Sequence, residues 1–176
     1  MKLSPSSTGF VIAAVVLVAD QLVKAVFLYG LGWISSLDGT PVRPIAVTPF
    51  LDFVMVWNQG ISYGLLQASS DFERWLLTIF ALGVTAFLIW WLRGIQDLRL
   101  AQAIGLIIGG AVGNVIDRIL YGAVADFFHL HAFGYSWYVF NVADTAVVLG
   151  VVVMGLDLAI GEWKARVGRR RKEDQT

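Results

Sequence analysis

Residues 100–120 read LAQAIGLIIGGAVGNVIDRIL, an apolar run whose polar side chains lie near its ends. A helix rises about 1.5 Å per residue, so about 20 such residues cross the hydrocarbon core of a bilayer, which is roughly 30 Å thick. The run therefore predicts a transmembrane helix. Runs of similar length and character occupy residues 10–28, 75–92 and 138–160, so the sequence predicts four spans.

The composition of the whole chain agrees with these spans. Of its 176 residues, 57% are hydrophobic and 15% are charged, and the mean hydropathy of +0.71 is too high for a soluble domain of this size. We predict a single membrane domain over residues 1–176, an all-α polytopic protein surrounded by lipids. The chain has no cysteine, which excludes disulfides, thiolate metal sites and a cysteine nucleophile.

Basic residues near the ends of the spans set the predicted orientation. Lys2, the pair Arg93 and Arg99, and a basic cluster near the C-terminus fall on one side, which the positive-inside rule makes cytoplasmic. Both termini are therefore predicted to be cytoplasmic. The C-terminal cluster is interpreted as an orientation signal that contacts anionic lipids, and no nucleic-acid partner is predicted. Its members are Lys164, Arg166, Arg169, Arg170, Arg171 and Lys172.

The two connections on the other side, residues 30–71 and 121–137, are predicted to be extracytoplasmic loops. In the first, residues 42–47 and 50–57 mix β-branched and aromatic side chains between prolines, which indicates a small β-rich subdomain. The second is interpreted as a short link. Aromatic residues near the predicted outer boundary are typical of an interfacial belt. They are Trp33, Trp57, Trp75, Trp137 and Tyr138.

Charged residues within the spans indicate where a function lies, because each costs about 2.5–3.5 kcal/mol at the centre of an inserted helix. In the first span, Asp20 and Lys24 are four residues apart and share one helix face. They are either a neutralised structural pair or direct participants. In the third span, an amide, a carboxylate and a guanidinium gather within about one turn at Asn114, Asp117 and Arg118.

The start of the fourth span repeats this spacing, since Asn141 and Asp144 are again three residues apart. Asp126 follows directly after the third span. We therefore expect Asp117, Asp126 and Asp144 to meet at one depth, near the outer surface of the membrane. Two carboxyl groups that share a partly dehydrated site cannot both ionise easily, so the pair holds one proton.

Such a pair is the arrangement of aspartic proteases. The ionised carboxylate takes a proton from water as the water attacks a peptide carbonyl, and the protonated partner donates to the carbonyl oxygen. Alternatively, the aspartates are counter-ions to Arg118 and Lys24. A proton-coupled carrier or small channel is a second function class that uses intramembrane carboxylates, and a non-catalytic scaffold is a third.

Three further motifs have simpler interpretations. The glycines at 105, 109, 110 and 113 would let another helix approach closely. His129 and His131 alternate as on a strand and could bind a metal with Asp126, but they are interpreted as loop residues and no metal is predicted. The segment from Asn58 to Gly64 is either a simple turn or a substrate contact.

Together these residues resemble the bacterial lipoprotein signal peptidases, also called signal peptidase II, over nearly the whole chain. The matching blocks are Asp20-Gln21 with Lys24, Asn58 with Gly60 and Gly64, Gly109-Gly110-Ala111 with Gly113-Asn114 and Asp117-Arg118, Gly122 with Val124 and Asp126-Phe127, and Phe140-Asn141 with Ala143-Asp144. The resemblance implies an aspartic endopeptidase that removes signal peptides from prolipoproteins. Cleavage would fall on the N-terminal side of the diacylglyceryl-modified cysteine, with Asp126 and Asp144 as the catalytic dyad and no cofactor.

The same resemblance implies supporting roles for other residues. Asn114, Asp117, Arg118 and Asn141 would orient the dyad or the substrate backbone, and Asp20, Lys24 and Asn58 would shape the pocket. Gly60 is predicted to bind the substrate or orient the dyad. Ser62 and Tyr63 depart from the more usual family residues, alanine and phenylalanine or tryptophan. We also predict a monomer in the bacterial cytoplasmic (inner) membrane, with its active site near the outer leaflet.

Overall fold

The structure, a computed structural model, describes residues 3–60 and 71–173, and the backbone alone for residues 71, 73 and 161–173. Its helices are α1 (Pro5–Ala25), α2 (Asp71–Leu92), α3 (Leu98–Tyr121) and α4 (Val142–Glu173). A π-helical turn, Val26–Gly30, extends α1, and a 3₁₀ helix, Trp33–Asp38, follows it. In the described part of the chain, four helices are long and apolar enough to cross a membrane.

Helix α3 lies at the centre and packs against α1, α2 and α4. Its glycines permit this close packing, as the sequence predicted. A Cβ atom added at Gly109 would lie 2.6 Å from the Ala13 carbonyl oxygen, and one added at Gly113 would lie 2.5 Å from Asp20 Oδ2. Small residues therefore bring the polar side chains of α1 and α3 into contact.

The outer surface of the bundle is apolar. Along α1, Val11, Val15, Val18 and Leu22 are exposed at intervals of three or four residues, so they form one stripe on the helix. Exposed apolar side chains of this kind are solvated by lipid rather than water. The membrane assignment thus rests on the arrangement of the exposed surface as well as on hydropathy.

A four-stranded antiparallel sheet lies beyond the end of α1. Its strands follow the order β1 (Ile45–Thr48), β2 (Leu51–Asn58), β3 (Val124–Ala132) and β4 (Tyr135–Phe140). The sheet packs on the extension of α1 through an aromatic cluster. The rings of Phe27 and Phe127 stack with their centroids 4.1 Å apart. Strands from the two connections therefore form one unit fixed to the helices.

The structure corrects the predicted fold in two places. The all-α class is wrong, because the sheet is larger than the predicted loop subdomain and takes in the second connection, 121–137, which was predicted to be a link. Helix α4 begins at Val142 rather than at residue 138, because Tyr138–Phe140 belong to β4. The strands predicted at 42–47 and 50–57 are confirmed with shifted bounds.

Candidate functional site

The first polar cluster centres on the buried ammonium group of Lys24. Lys24 Nζ lies 2.8 Å from Asp20 Oδ2 and 2.7 Å from Asp117 Oδ2, and all three side chains are almost completely buried. The predicted Asp20–Lys24 pair is thus confirmed and gains a partner from α3. Gln21 Nε2 donates to both carboxylates. One cation shared by two anions leaves this cluster with a formal charge of minus one.

The two carboxylates of this cluster also hold backbone segments. Asp20 Oδ1 accepts a hydrogen bond of 2.9 Å from the backbone N–H of Ala143, in the first turn of α4. Asp117 Oδ2 accepts one of 3.1 Å from the N–H of Ala125, the residue before Asp126. The lysine cluster therefore fixes the start of α4 and the start of β3 relative to α1 and α3.

Asp144 lies in the first turn of α4, in a reciprocal cap with Asn141. The Asp144 backbone N–H donates to Asn141 Oδ1 at 2.9 Å, and Asp144 Oδ2 accepts from the Asn141 backbone N–H at 3.3 Å. Two N–H groups that the helix cannot pair internally are satisfied in this way. The other carboxylate oxygen, Oδ1, accepts a 2.8 Å hydrogen bond from Asn114 Nδ2.

Asp126 lies on β3 and is bound by two amides. Asn141 Nδ2 donates to Asp126 Oδ1 at 2.7 Å, and Asn58 Nδ2 donates to Asp126 Oδ2 at 3.0 Å. Asn141 therefore contacts both carboxylates. Asn114 Oδ1 accepts from Asn141 Nδ2 at 3.1 Å and from Lys24 Nζ at 3.3 Å, so it joins the two polar clusters.

The electrostatics of Asp126 differ from those of an ordinary surface carboxylate. Its side chain is buried, and burial together with the nearby charge of Asp144 raises its pKa to about 8. The hydrogen bonds from Asn58 and Asn141 and the charge of Lys24 oppose that rise. Among the described residues, neither Asp126 nor Asp144 has a cation within 4.0 Å. Burial therefore favours the protonated form of Asp126 more than that of an exposed carboxyl group.

Arg118 lies beside this pair and interacts with the charges of Asp144 and Asp126, without an ion pair within 4.0 Å in the described part of the chain. Its Nη2 atom donates to the Gly60 carbonyl at 3.4 Å, while its buried Nε atom has no hydrogen-bond partner within the described part of the chain. The Gly60 N–H in turn donates to Asn58 Oδ1 at 3.1 Å, which closes a turn. The carboxylates in direct contact with Lys24 are Asp20 and Asp117, whereas Asp126 and Asp144 interact with Arg118 and Lys24 only at longer range.

The structure brings together the residues that the sequence singled out around the carboxylates. They are Asn58, Gly60, Asn114, Arg118, Asp126, Asn141 and Asp144, with Asp20, Lys24 and Asp117 directly behind them. Gly64, Ser62 and Tyr63 lie outside the described residues. The sequence analysis assigned no role to Gln21. Its position next to Asp20 in the sequence was the signal that could have placed it in the lysine cluster.

The two histidines do not lie with Asp126. They belong to strand β3 rather than to a loop, so that interpretation was wrong, and the carboxylate beside them is Asp52 of β2. Asp52 was not considered because 77 positions separate it from His129 along the chain.

Four membrane-capable helices that enclose a carboxylate pair at one end of the bundle define a polytopic membrane protein with a buried acidic site. The profile of the family described as "Signal peptidase (SPase) II" matches residues 12–160. The chain therefore belongs to the signal peptidase II family.

Similar proteins cover most of the chain. The "Lipoprotein signal peptidase" of Methylobacterium radiotolerans is 46% identical over 155 residues, which are 88% of this chain and 87% of that relative. The protein of the same name from Methylocella silvestris is 46% identical over 157 residues, again 88% and 87% of the two chains.

Solved structures agree with this result. Two structures described as a bacterial membrane enzyme determined by the in meso method have TM-scores of 0.67 and 0.69. They share 30% and 29% sequence identity with this protein. The first comparison covers 87% of this chain and 88% of the other, and the second covers 86% and 92%. The fold described above is thus the fold of experimentally solved membrane enzymes.

Proposed function

We propose that this protein is an aspartic endopeptidase that removes signal peptides from bacterial prolipoproteins. It would cleave on the N-terminal side of the diacylglyceryl-modified cysteine, with Asp126 and Asp144 as its catalytic dyad. One observation carries the proposal: two buried carboxyl groups are hydrogen-bonded by asparagine amides and a backbone N–H, while the lysine nearby is already paired with two other carboxylates. Membership of the signal peptidase II family supports the same reaction.

The raised pKa of Asp126 assigns the two carboxyl groups different tasks. Because its pKa is raised to about 8, we assign the proton that the pair shares to Asp126 and the ionised role to Asp144. Asp144 takes a proton from water as the water oxygen bonds to the scissile carbonyl carbon, and Asp126 donates its proton to the carbonyl oxygen. When the tetrahedral intermediate collapses, the C–N bond breaks and the amine takes the proton held by Asp144. Asp126 recovers a proton as the carbonyl re-forms.

The amides hold this geometry without altering the charge. Asn141 contacts both carboxyl groups, and Asn58 and Asn114 each bind one of them. A neutral amide donor fixes a carboxylate without supplying the full positive charge that would keep both groups ionised. Arg118, whose Nη2 donates to the Gly60 carbonyl, would orient this segment and the substrate backbone beside the pair.

The depth of the site suits a lipid-modified substrate. Asp144 lies in the first turn of a span, and Asp126 lies just after the end of another. A cysteine that carries acyl chains is held at the membrane surface, so the bond beside it lies at this depth. We propose that this end faces outward from the bacterial inner membrane, that both termini are cytoplasmic, and that the protein acts as a monomer in contact with lipids.

The test is cleavage of a diacylglyceryl-modified prolipoprotein peptide by the purified protein in detergent. We expect cleavage before the modified cysteine, and its loss in Asp126→Asn and Asp144→Asn. Asp38→Asn is the matched control, because Asp38 is an exposed carboxylate at the end of the 3₁₀ helix. If the folded protein cleaves nothing, or if both dyad variants cleave normally, the dyad assignment is wrong and the proton-coupled carrier becomes the better proposal.

A further inference from the structure

A second group of ionisable side chains lies on the sheet, away from the carboxylate pair. Asp52 of β2 and His129 of β3 are partners in the strand register, and His131 lies two residues further along β3. The next register pair, Phe53 and Phe128, packs into the aromatic cluster around Phe27. Because side chains alternate along a strand, Asp52 and His129 occupy the opposite face of the sheet.

The three side chains direct potential ligand atoms at one point. One ligand atom from each residue lies within 4.8 Å of the others. His131 Nε2 is 3.0 Å from Asp52 Oδ2, and His129 Nδ1 is 4.0 Å from the same oxygen. Ligand atoms of a tetrahedral Zn²⁺ are separated by roughly 3.3 Å, given metal–ligand bonds of about 2.0–2.1 Å. The side chains need only small adjustments to reach that geometry.

The hydrogen bonds of His129 leave its Nδ1 atom free to bind a cation. His129 Nε2 shares a hydrogen bond with the Ser136 hydroxyl, and its direction depends on the tautomer of the histidine. When a cation binds Nδ1, the neutral ring keeps its proton on Nε2, which then donates to Ser136 Oγ. A neutral histidine with its proton on Nε2 has a lone pair on Nδ1. In that tautomer the Nδ1 lone pair faces a carboxylate oxygen of Asp52, 4.0 Å away, which is also an acceptor. Metal-binding histidines commonly donate their other N–H to such an outer partner.

The contact between His131 and Asp52 likewise brings a ring nitrogen toward a carboxylate oxygen without a hydrogen bond. At 3.0 Å the two atoms are near enough for a hydrogen bond, yet His131 Nε2 is buried and makes none with the described residues. A short approach of nitrogen and oxygen without hydrogen-bond geometry is what two ligands of one ion show. The donor set of two imidazoles and one carboxylate suits zinc and its neighbours in the transition series.

We propose that Asp52, His129 and His131 form a binding site for a divalent transition metal of the zinc class. The ion ties β2 to β3, because its ligands come from both strands. These strands also carry Asn58 and Asp126, so the ion stiffens the part of the sheet that presents Asp126. The site is independent of the proposed peptidase reaction.

The experiment measures metal binding by the full-length protein, purified in detergent without a polyhistidine tag and stripped with a chelator. Titration with Co²⁺ should give tetrahedral visible absorption that saturates at one ion per chain, and Zn²⁺ should displace it. Ser136→Ala should weaken Zn²⁺ binding about 10-fold, the smaller end of the effect of losing an outer partner. His129→Ala and His131→Ala should weaken it more.

Two further measurements keep the result unambiguous. The double variant Asp126→Asn/Asp144→Asn should bind Zn²⁺ as the unmodified protein does, because the ion is not held by the carboxylate pair. Zn²⁺ should raise the thermal midpoint of the unmodified protein and leave that of His129→Ala/His131→Ala unchanged. Absence of stoichiometric binding, or binding that survives in the double histidine variant, would overturn the proposal.

Discussion

Two buried carboxylate clusters are joined through Asn114 of α3 and differ in what surrounds them. Around Lys24, two carboxylates share one ammonium group at 2.8 and 2.7 Å. Around Asn141, Asp126 and Asp144 are bound by amides and backbone N–H groups. We therefore propose two tasks for residues of one type: a carboxylate paired with a cation acts as a structural anchor, whereas one bound by neutral donors exchanges a proton.

The largest expected effect separates activity from stability at the amide-bound pair. Asp126→Asn should lower the rate of prolipoprotein cleavage by about 10²–10⁴-fold, the usual contribution of a general acid–base group. The free energy of unfolding should not fall, because asparagine keeps an acceptor for Asn58 and removes a buried ionisable group. Rates and thermal midpoints of this variant and of Asp38→Asn give the comparison. A parallel loss of rate and stability would contradict the assignment.

Lys24→Met should do the reverse and act first on stability. Removing the cation leaves Asp20 and Asp117 buried without a counter-charge, which typically costs about 3–5 kcal/mol. Denaturation in mixed detergent measures the loss. The triple variant Asp20→Asn/Lys24→Met/Asp117→Asn, which removes all three charges, should recover most of it. If the triple variant were as unstable as Lys24→Met, uncompensated charge would not be the cause.

The pH dependence of stability should also differ between the clusters. Because the pKa of Asp126 is raised to about 8, its contribution to stability is complete below pH 4 and is lost as the pH rises through 8. The unmodified protein should lose up to about 1.4 kcal/mol per pH unit over that range relative to Asp126→Asn. Unfolding measured at several pH values tests this. Equal pH dependence of the two proteins would rule out a raised pKa at Asp126.

Gly113→Ala tests the close packing of α3 against Asp20 in the lysine cluster. The added methyl group would lie 2.5 Å from Asp20 Oδ2, and overpacking of this kind costs about 1–3 kcal/mol. Gly83→Ala is the matched control, since no atom lies within 4 Å of a Cβ at that helical glycine. The control should be neutral or slightly stabilising. Similar thermal midpoints for the two variants would contradict the close contact.

The smallest expected effect comes from one amide. Asn58→Ala removes a hydrogen bond that lowers the pKa of Asp126, so that pKa should rise further, by about one unit. The basic limb of the pH–rate profile for cleavage should move to higher pH by that amount. A shift to lower pH would show that Asn58 does not stabilise the ionised form of Asp126.

The sequence predicts the helices well because their signal is local. Hydropathy locates all four spans, and a four-residue spacing is enough to pair Asp20 with Lys24. Prediction from hydropathy fails at residues 138–140, where a strand leads directly into a span. An apolar aromatic run has the same hydropathy in either structure, so only the strand pairing distinguishes them.

The contacts that join distant parts of the chain could not be predicted from spacing. The third partner of the lysine cluster, Asp117, is 93 residues from Lys24, and its contact depends on how α1 packs on α3. The pairing of Asp52 with His129 depends on the register of β2 and β3. By contrast, the Asn-x-x-Asp spacing is local and could have predicted the reciprocal cap between Asn141 and Asp144. The spacing was interpreted only as a repeated motif.

The most direct test of the account is infrared spectroscopy of the carbonyl stretch of protonated carboxyl groups, in a detergent without ester groups. At neutral pH the unmodified protein should show such a band, and its amplitude should fall with a midpoint near pH 8, the raised pKa of Asp126. The band should be lost in Asp126→Asn and kept in Asp38→Asn. A protein without this band at neutral pH, or a band unchanged in Asp126→Asn, would contradict the claim that the amide-bound pair holds the catalytic proton.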